Sequence, residues 1–492
     1  MTQRTPNSEL RTPNFEPVIG LEIHAQLLTR TKIFCGCPTA FGAPPNTHVC
    51  PVCLGMPGTL PVLNAAAVEY AARAALALNC AVHAQSVFAR KNYFYPDLPK
   101  GYQISQYDRP LATGGWVDIG PLAARRRVRI TRVHMEEDAG KSLHHGFPDS
   151  DRATYVDCNR AGVPLIEIVS EPDLRTAAEA SDFFERVREL LIALGVNDGN
   201  MEEGSLRCDA NVSLRREGDE TLGTKTEVKN VNSFRFLRRA LEHEIERQAA
   251  ILDGGGAVMQ ETRLWDSAAG VTVSMRSKED ADDYRYFPEP DLPPLVLERA
   301  WVDAQRAALP ELPDARIARL MRDHGLVEYD AETLVRAVPG GADYFEAVVA
   351  AGAASKAAAN WMLGDVQRVL KEQSASLLDF AARVPPDALA ELLRLLDDGT
   401  IGGSAAKQVF ETMASDGGRP SAIVEAAGLS RISDQSAIEA LVDEVLAAHA
   451  GAVAEFRAGK TQTFGFLVGQ VMKASKGRAD AATVNALLRK KL

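Results

Sequence analysis

Hydrophobic and polar positions alternate along Pro17–Leu28. Ile19, Leu21, Ile23 and Leu27 fall on one face, and Glu22, His24 and Gln26 on the other. A period of two is that of a half-buried strand, and it sets Glu22 and His24 side by side. Val128–Val133 reads as a β-branched strand that runs into His134-Met135-Glu136-Glu137-Asp138-Ala139-Gly140-Lys141. Pro164–Val169 is nearly continuously apolar, with Glu167 inside it. Further on, Leu206, Cys208, Ala210, Val212 and Leu214 alternate with Arg207, Asp209, Asn211 and Ser213, and Lys225, Glu227 and Lys229 share one face of the next strand. Two helices carry start signals: Asn64 as N-cap of an Ala-rich segment to Asn79, and Thr176-Ala177-Ala178-Glu179 as a capping box for a helix to about Gly195. After Pro288, Pro290, Pro293 and Pro294 the period changes. Segments such as Ala388, Leu389, Leu392, Leu393, Leu395 and Leu396 repeat helically, with breaks at Pro310/Pro313, Gly340/Gly341 and Gly402/Gly403. The pattern predicts an α+β protein: a sheet-containing part at 1–294, a helical domain at 295–402 and a small helical tail at 403–492.

A length of 492 residues suits about three domains. The 46% apolar and 25% charged composition is that of an ordinary globular chain, and no apolar run is long enough to span a membrane. Met1–Pro17 is polar and lacks a signal-peptide core, so a cytoplasmic location is expected. A net charge of −11 argues against general coating of nucleic acid but leaves room for local basic patches. Seven cysteines in such a chain point to metal or free thiols rather than a disulfide framework.

Candidate chemistry changes the picture at several places. Cys35, Cys37, Cys50 and Cys53 form a C-x-C and a C-x-x-C pair, the ligand pattern of a closed, structural zinc site; two redox or free-thiol pairs are the alternative. Cys80, Cys158 and Cys208 stand alone and read as buried small apolar residues. The three carboxylates of His134–Lys141 suit a hard divalent cation, against a solvated turn as the plain reading. Glu167 in its apolar strand needs a cation or a partner to stay ionised. Arg90–Tyr107 mixes five aromatics with basic and amide side chains, fit to stack a base or position phosphates, or simply to pin a loop. Arg125, Arg126, Arg127, Arg129 and Arg132 abut the acidic stretch, as phosphoryl transfer would require. Met201-Glu202-Glu203-Gly204 echoes Met135-Glu136-Glu137. Between Lys460 and Leu492, Lys460, Lys473, Lys476, Arg478, Arg489, Lys490 and Lys491 face only Asp480, the composition of a nucleic-acid footprint or of a solvated helical tail.

Several blocks together resemble one family. They are Val18-Ile19-Gly20-Leu21-Glu22-Ile23-His24, Arg90-Lys91-Asn92-Tyr93-Phe94-Tyr95-Pro96-Asp97, His134–Lys141, Pro164–Pro172, Met201–Asp209, Asp282–Asp291 and Phe464–Gln470. In this order, and covering the chain from Pro17 to its end, they are similar to the B subunits of aspartyl/glutamyl-tRNA(Asn/Gln) amidotransferases. The resemblance implies a large antiparallel-sheet cradle, a helical domain and a tail that reaches tRNA. It implies a ligase that forms a carbon–nitrogen bond with glutamine as amido donor, working in a heterotrimer with an A subunit that releases ammonia and a C subunit. The B subunit would use ATP to phosphorylate the side-chain carboxylate of misacylated Glu-tRNA(Gln) or Asp-tRNA(Asn), and ammonia would displace the phosphate. Carried over by motif, Mg2+ (or Mn2+) falls to Glu22, His24, Glu137 and Glu167, with Glu136, Glu202 and Glu203 as further candidates. Lys91, Arg207, Asp209, Glu227 and Lys229 would meet ATP or the aminoacyl end; His24, Glu137, Glu167, Lys91, Arg207 and Asp209 form the catalytic set. Zn2+ at the four cysteines would be a local staple. Two other classes remain open: an ATP-dependent ligase or kinase acting on a small carboxylate, and a non-catalytic tRNA-binding scaffold.

Overall fold

The computed structural model describes residues 14–144, 146–229, 231–277, 284–432, 435–475 and 477–492. Residues 1–13 of the N-terminal segment, Asp282 and Asp283 of the Asp282–Asp291 block, and Lys476 of the basic tail lie outside the described residues. The chain divides into two compact units, 1–312 and 313–492.

The first unit is built on a nine-stranded sheet. Its strands are β1 (Phe15–Gln26), β2 (Ala81–Val82), β3 (Ala112–Ile119), β4 (Arg126–Glu137), β5 (Pro164–Ser170), β6 (Leu206–Arg216), β7 (Thr226–Lys229), β8 (Glu261–Asp266) and β9 (Val271–Ser277). Their order is β9-β8-β7-β6-β1-β5-β4-β3-β2. Every neighbouring pair is antiparallel except β7 and β8, which run parallel and make the sheet mixed. β1, at the centre, behaves as its alternation predicts: Ile19, Leu21, Ile23 and Ala25 are buried, while Glu22, His24 and Gln26 are only half-buried on the other face.

Three helices cover the apolar face. α1 (Ala65–Ala77) starts at Asn64, whose side chain accepts from Ala66 N; α2 (Ala177–Ala193) starts at a complete Thr176/Glu179 capping box; α3 (Phe234–Asp253) starts at Ser233. The small alanines of α1 let it lie close, whereas α2 inserts Phe183 and Phe184 and α3 Leu237, Leu241 and Ile245 into the same core. Each large side chain buried there stabilises by about 1.5–3 kcal/mol. The helix Arg299–Ala307 also packs here, through Trp301 and Val302. With one face closed by helices, the polar face is left for chemistry.

The second unit is helical from Pro313–His324 to Ala481–Lys491, with an isolated bridge between Ile432 and Ala479. Ala388, Leu389, Leu392 and Leu393 are buried as their spacing predicts. Ile438, Val442, Val445, Leu467, Val471, Val484, Leu487 and Leu488 form a separate apolar cluster near its end.

Candidate active site

Strand register assembles the polar face. Arg207 on β6 lies opposite His24 on β1, His24 opposite Glu167 on β5, and Glu167 opposite His134 on β4. Directly paired residues of neighbouring strands share a face, so these four form one row. His24 Nε2 stands 3.5 Å and His134 Nε2 3.3 Å from Glu167 Oε2. His134 Nε2 also stands 3.6 Å from Glu136 Oε2, which accepts a 3.2 Å hydrogen bond from Ser105 Oγ. Ligand atoms of His24, Glu136 and Glu167 all lie within 4.8 Å of one another. Two carboxylates and an imidazole at that separation fit one divalent cation, Mg2+ through the oxygens and Mn2+ with the nitrogen as well.

The charges support each other. Burial disfavours protonation of His24, but Glu167 outweighs it and raises the imidazole's pKa. Burial acts likewise on His134, and Glu167 and Glu136 push it up to about 9. Burial would raise Glu167, yet the two histidines hold it well below the usual carboxylate range. Without a cation the row is thus held together by protons, which metal would have to displace.

β4 alternates too. Arg132, His134 and Glu136 face the row, while Met135 is in the core and Glu137 turns to the opposite side. There the Glu137 carboxylate accepts from Lys100 Nζ and, at 2.9 Å, from Ile104 N. The structure therefore brings Glu136, and not Glu137, to His24 and Glu167; the period of two decides between adjacent carboxylates. Glu202 and Glu203 lie exposed in a turn and contribute nothing to this group. His134 was not among the sequence-derived site residues. The i, i+2 argument applied to Glu22 and His24 would have found it beside Glu136.

A second row runs alongside. Glu22 lies opposite Asp209, and Asn211, opposite Glu227, donates to Glu22 Oε1 at 2.9 Å. Burial, then Glu167 and Glu227, raise the Glu22 pKa. Lys229 Nζ stands 3.5 Å from Asp209 and 3.3 Å from Glu227; burial opposes its charge, and those two carboxylates more than restore it. Arg207 reaches Asp138 at 3.1 Å, and Asp138 also accepts from Gln26 at 2.7 Å. Lys91 lies outside the nine-stranded sheet, on the strand Ala89–Asn92 of a three-stranded one; its Nζ sits 4.7 Å from the Tyr284 ring and 5.8 Å from that of Tyr93. Tyr107 stacks on Tyr286 at 4.1 Å. The Tyr286 hydroxyl is pushed up by burial and then by Glu136 and Glu167, which puts this aromatic group within electrostatic reach of the row.

Most of the arginine cluster is spoken for. Arg126 donates to Glu179, Arg127 to Asp118 and Arg129 to Asp173, whereas Arg132 comes 3.9 Å from Glu167. In the tail, Lys460 pairs with Glu455, and Lys491 with Asp443 and Glu439, which tempers its positive charge.

The four cysteines also converge, with Sγ atoms within 4.8 Å of one another and those of Cys50 and Cys53 3.9 Å apart. Tetrahedral zinc with bonds of about 2.3 Å needs sulfurs about 3.8 Å apart, so the set fits. Cys35 hydrogen-bonds Cys53 and, despite burial, pulls its thiol down to about 4, which favours a thiolate ligand. Cys80, Cys158 and Cys208 are buried, as expected.

Comparison with known proteins agrees along the chain. The model of the GatB/GatE catalytic domain matches residues 17–303 and that of the GatB domain residues 343–492. The B subunit of the aspartyl/glutamyl-tRNA(Asn/Gln) amidotransferase of Geotalea daltonii is 56% identical over 478 residues, which cover 97% of this chain and 99% of that protein. Proteins of the same name from Geobacter sulfurreducens and Anaeromyxobacter sp. (strain Fw109-5) are each 56% identical, with the same coverage. No described helix is long and apolar enough to cross a membrane.

Proposed function

The chain belongs to the family of aspartyl/glutamyl-tRNA(Asn/Gln) amidotransferase B subunits, glutamine-dependent carbon–nitrogen ligases, and from this we propose that its polar sheet face activates the side-chain carboxylate of Glu-tRNA(Gln) or Asp-tRNA(Asn) with ATP for amidation. A carboxylate oxygen is a poor leaving group; once phosphorylated, it leaves as phosphate when ammonia attacks. Both reactants, carboxylate and ATP, are anionic and need cations between them. His24, Glu136 and Glu167 would hold Mg2+ or Mn2+, which when bound supplies charge neutralisation and alignment.

The remaining residues bind and orient. Lys229, set by Asp209 and Glu227, and Arg207, set by Asp138, supply fixed positive charge toward phosphates or the aminoacyl end. Lys91 and the tyrosines around it offer a cation and π-faces for the nucleotide or the acceptor end. Glu22 joins the cation's outer surroundings, and Glu137 anchors Lys100 behind the row. The A subunit would deliver ammonia, the C subunit would complete the assembly, and the basic helices after about residue 403 would meet tRNA. A three-part division near residues 294 and 402 accompanies this reading; the separate cluster from Ile438 to Leu488 supports the tail, while Trp301 and Val302, beyond residue 294, pack into the core of the sheet unit.

The observation that carries the proposal is the meeting of His24, Glu136 and Glu167 on a face that also presents Lys229 and Arg207. The test uses the assembled complex with ammonium chloride in place of glutamine. ADP release is followed with and without misacylated Glu-tRNA, for the natural chain and His24→Ala. Release that requires the misacylated tRNA and collapses in the variant is expected. Release indifferent to tRNA points instead to a small-molecule ligase, and none at all to a scaffold.

A further inference from the structure

Lys32 is completely buried. A lysine is almost never so without a partner that answers its charge. Among the described residues no carboxylate pairs with it. Its ammonium donates instead to Cys53 Sγ at 3.5 Å and to the carbonyl oxygen of Cys158 at 3.2 Å. The backbone holds it there: Lys32 N donates to Cys37 O and Ile33 N to Gly162 O, each at 2.9 Å. Gly162 turns the chain beside it with a φ of +86°, a left-handed conformation that favours glycine.

Charge counting explains the placement. Without metal, Cys53 is the thiol that favours its thiolate, so the group offers Lys32 a single negative charge at the sulfur it touches. Four thiolates around a divalent cation carry two net negative charges (−4 + 2 = −2), and a buried excess of that size needs an answering cation. We infer that Lys32 is the internal counter-ion of a metal-loaded four-thiolate centre, and that its hydrogen bond to Cys53 Sγ sets how firmly the metal is held. Through Cys158 O the same ammonium ties this centre to the segment that leads into β5 and Glu167. Lys32 is thus a positioning residue for the metal and touches no substrate. The inference rests on the zinc reading of the cysteines.

The test uses the full chain with Lys32→Met, close in length but neutral, and Lys32→Gln should the first fail to fold. Chelator competition should show the zinc dissociation constant rising about 10- to 100-fold, the usual cost of losing a partner outside the ligand set. Melting curves separate this from a packing role. With zinc, the variant should melt below the natural chain; after zinc is stripped the difference should shrink, because only the Cys53 thiolate is then left to answer the ammonium. With cobalt in place of zinc, the sulfur-to-metal charge-transfer band should move to lower energy in the variant. Equal destabilisation with and without metal, together with unchanged affinity and spectrum, would overturn the role of Lys32 while leaving the zinc reading intact. A natural chain that takes up no zinc or cobalt overturns both.

Discussion

The described residues hold two metal-competent groups, and they are assembled in opposite ways. The thiolate centre is local: four ligands within residues 35–53, two from each close pair, converge in a loop outside the nine-stranded sheet. The carboxylate–imidazole row is distributed, taking His24, Glu136 and Glu167 from three strands that only register brings together. The first offers four ligands and no open position, which suits a staple. The second offers three, flanked by Lys229, Arg207 and Arg132, which suits an ion that must also meet anionic substrates. Closure separates structure from chemistry here more sharply than burial does, because each group mixes buried and half-buried ligands: Cys53, Glu136 and Glu167 are buried, Cys35, Cys37, Cys50 and His24 half-buried.

The largest break in that comparison should come from Glu136→Gln. Removing one of three ligands should lower misacylated-tRNA-dependent ADP release by on the order of a hundredfold or more, with the fold intact by circular dichroism. Glu137→Gln is its neighbour control. It loosens Lys100 and should lower the melting temperature while leaving Mn2+ affinity within a few-fold. The reverse ranking of the two variants would return the metal site to Glu137. Next in size is Cys50→Ser. Zinc content should fall toward zero and the melting temperature by roughly 5 °C or more, yet turnover per folded molecule should change only slightly. Turnover falling in step with zinc content would make the thiolate centre part of the reaction.

The two groups were also unequally legible. C-x-C and C-x-x-C spacing carries its own geometry, so all four zinc candidates could be named from the chain and the structure brings them together. The strand alternation of Ile19 to Leu27 and the caps at Asn64 and Thr176 were as readable, because each depends on a few adjacent residues. Period alone sets His134 beside Glu136; that this pair, and not Glu137, shares the face of Glu167 needed the pairing of Glu167 with His134, a long-range fact. The parallel pairing of β7 with β8 was likewise invisible, since short strands do not announce direction.

Acidity should separate the centres by a smaller margin. His134 is pushed up to about 9 by Glu167 and Glu136 against the pull of burial. A raised histidine stabilises the metal-free fold below its ordinary pKa, and that contribution fades as pH rises through about 9. Metal binding runs the other way, because the cation must expel the proton: Mn2+ affinity should fall by up to tenfold for each unit that pH drops below about 9. Mn2+ titrations from pH 6 to 9 read this directly. Zinc content of the thiolate centre should stay flat over that interval, and an equally flat Mn2+ affinity would show that no proton is displaced from the row.

The finest distinction is Glu22, the one member of the sequence-derived ligand set that stands in the second row. Burial, Glu167 and Glu227 all raise its pKa, so its ionised form is disfavoured by the fold. A carboxylate of this kind weakens the protein above its ordinary pKa and stops doing so once protonated. Glu22→Gln, which keeps the shape and a partner for Asn211, should therefore raise the metal-free melting temperature slightly at pH 7 and leave it unchanged near pH 4. Mn2+ affinity should fall only a few-fold, as for a charge near the ion and not bound to it. Loss of Mn2+ binding comparable to that in Glu136→Gln would make Glu22 a ligand, and would extend the site from one row of the sheet to two.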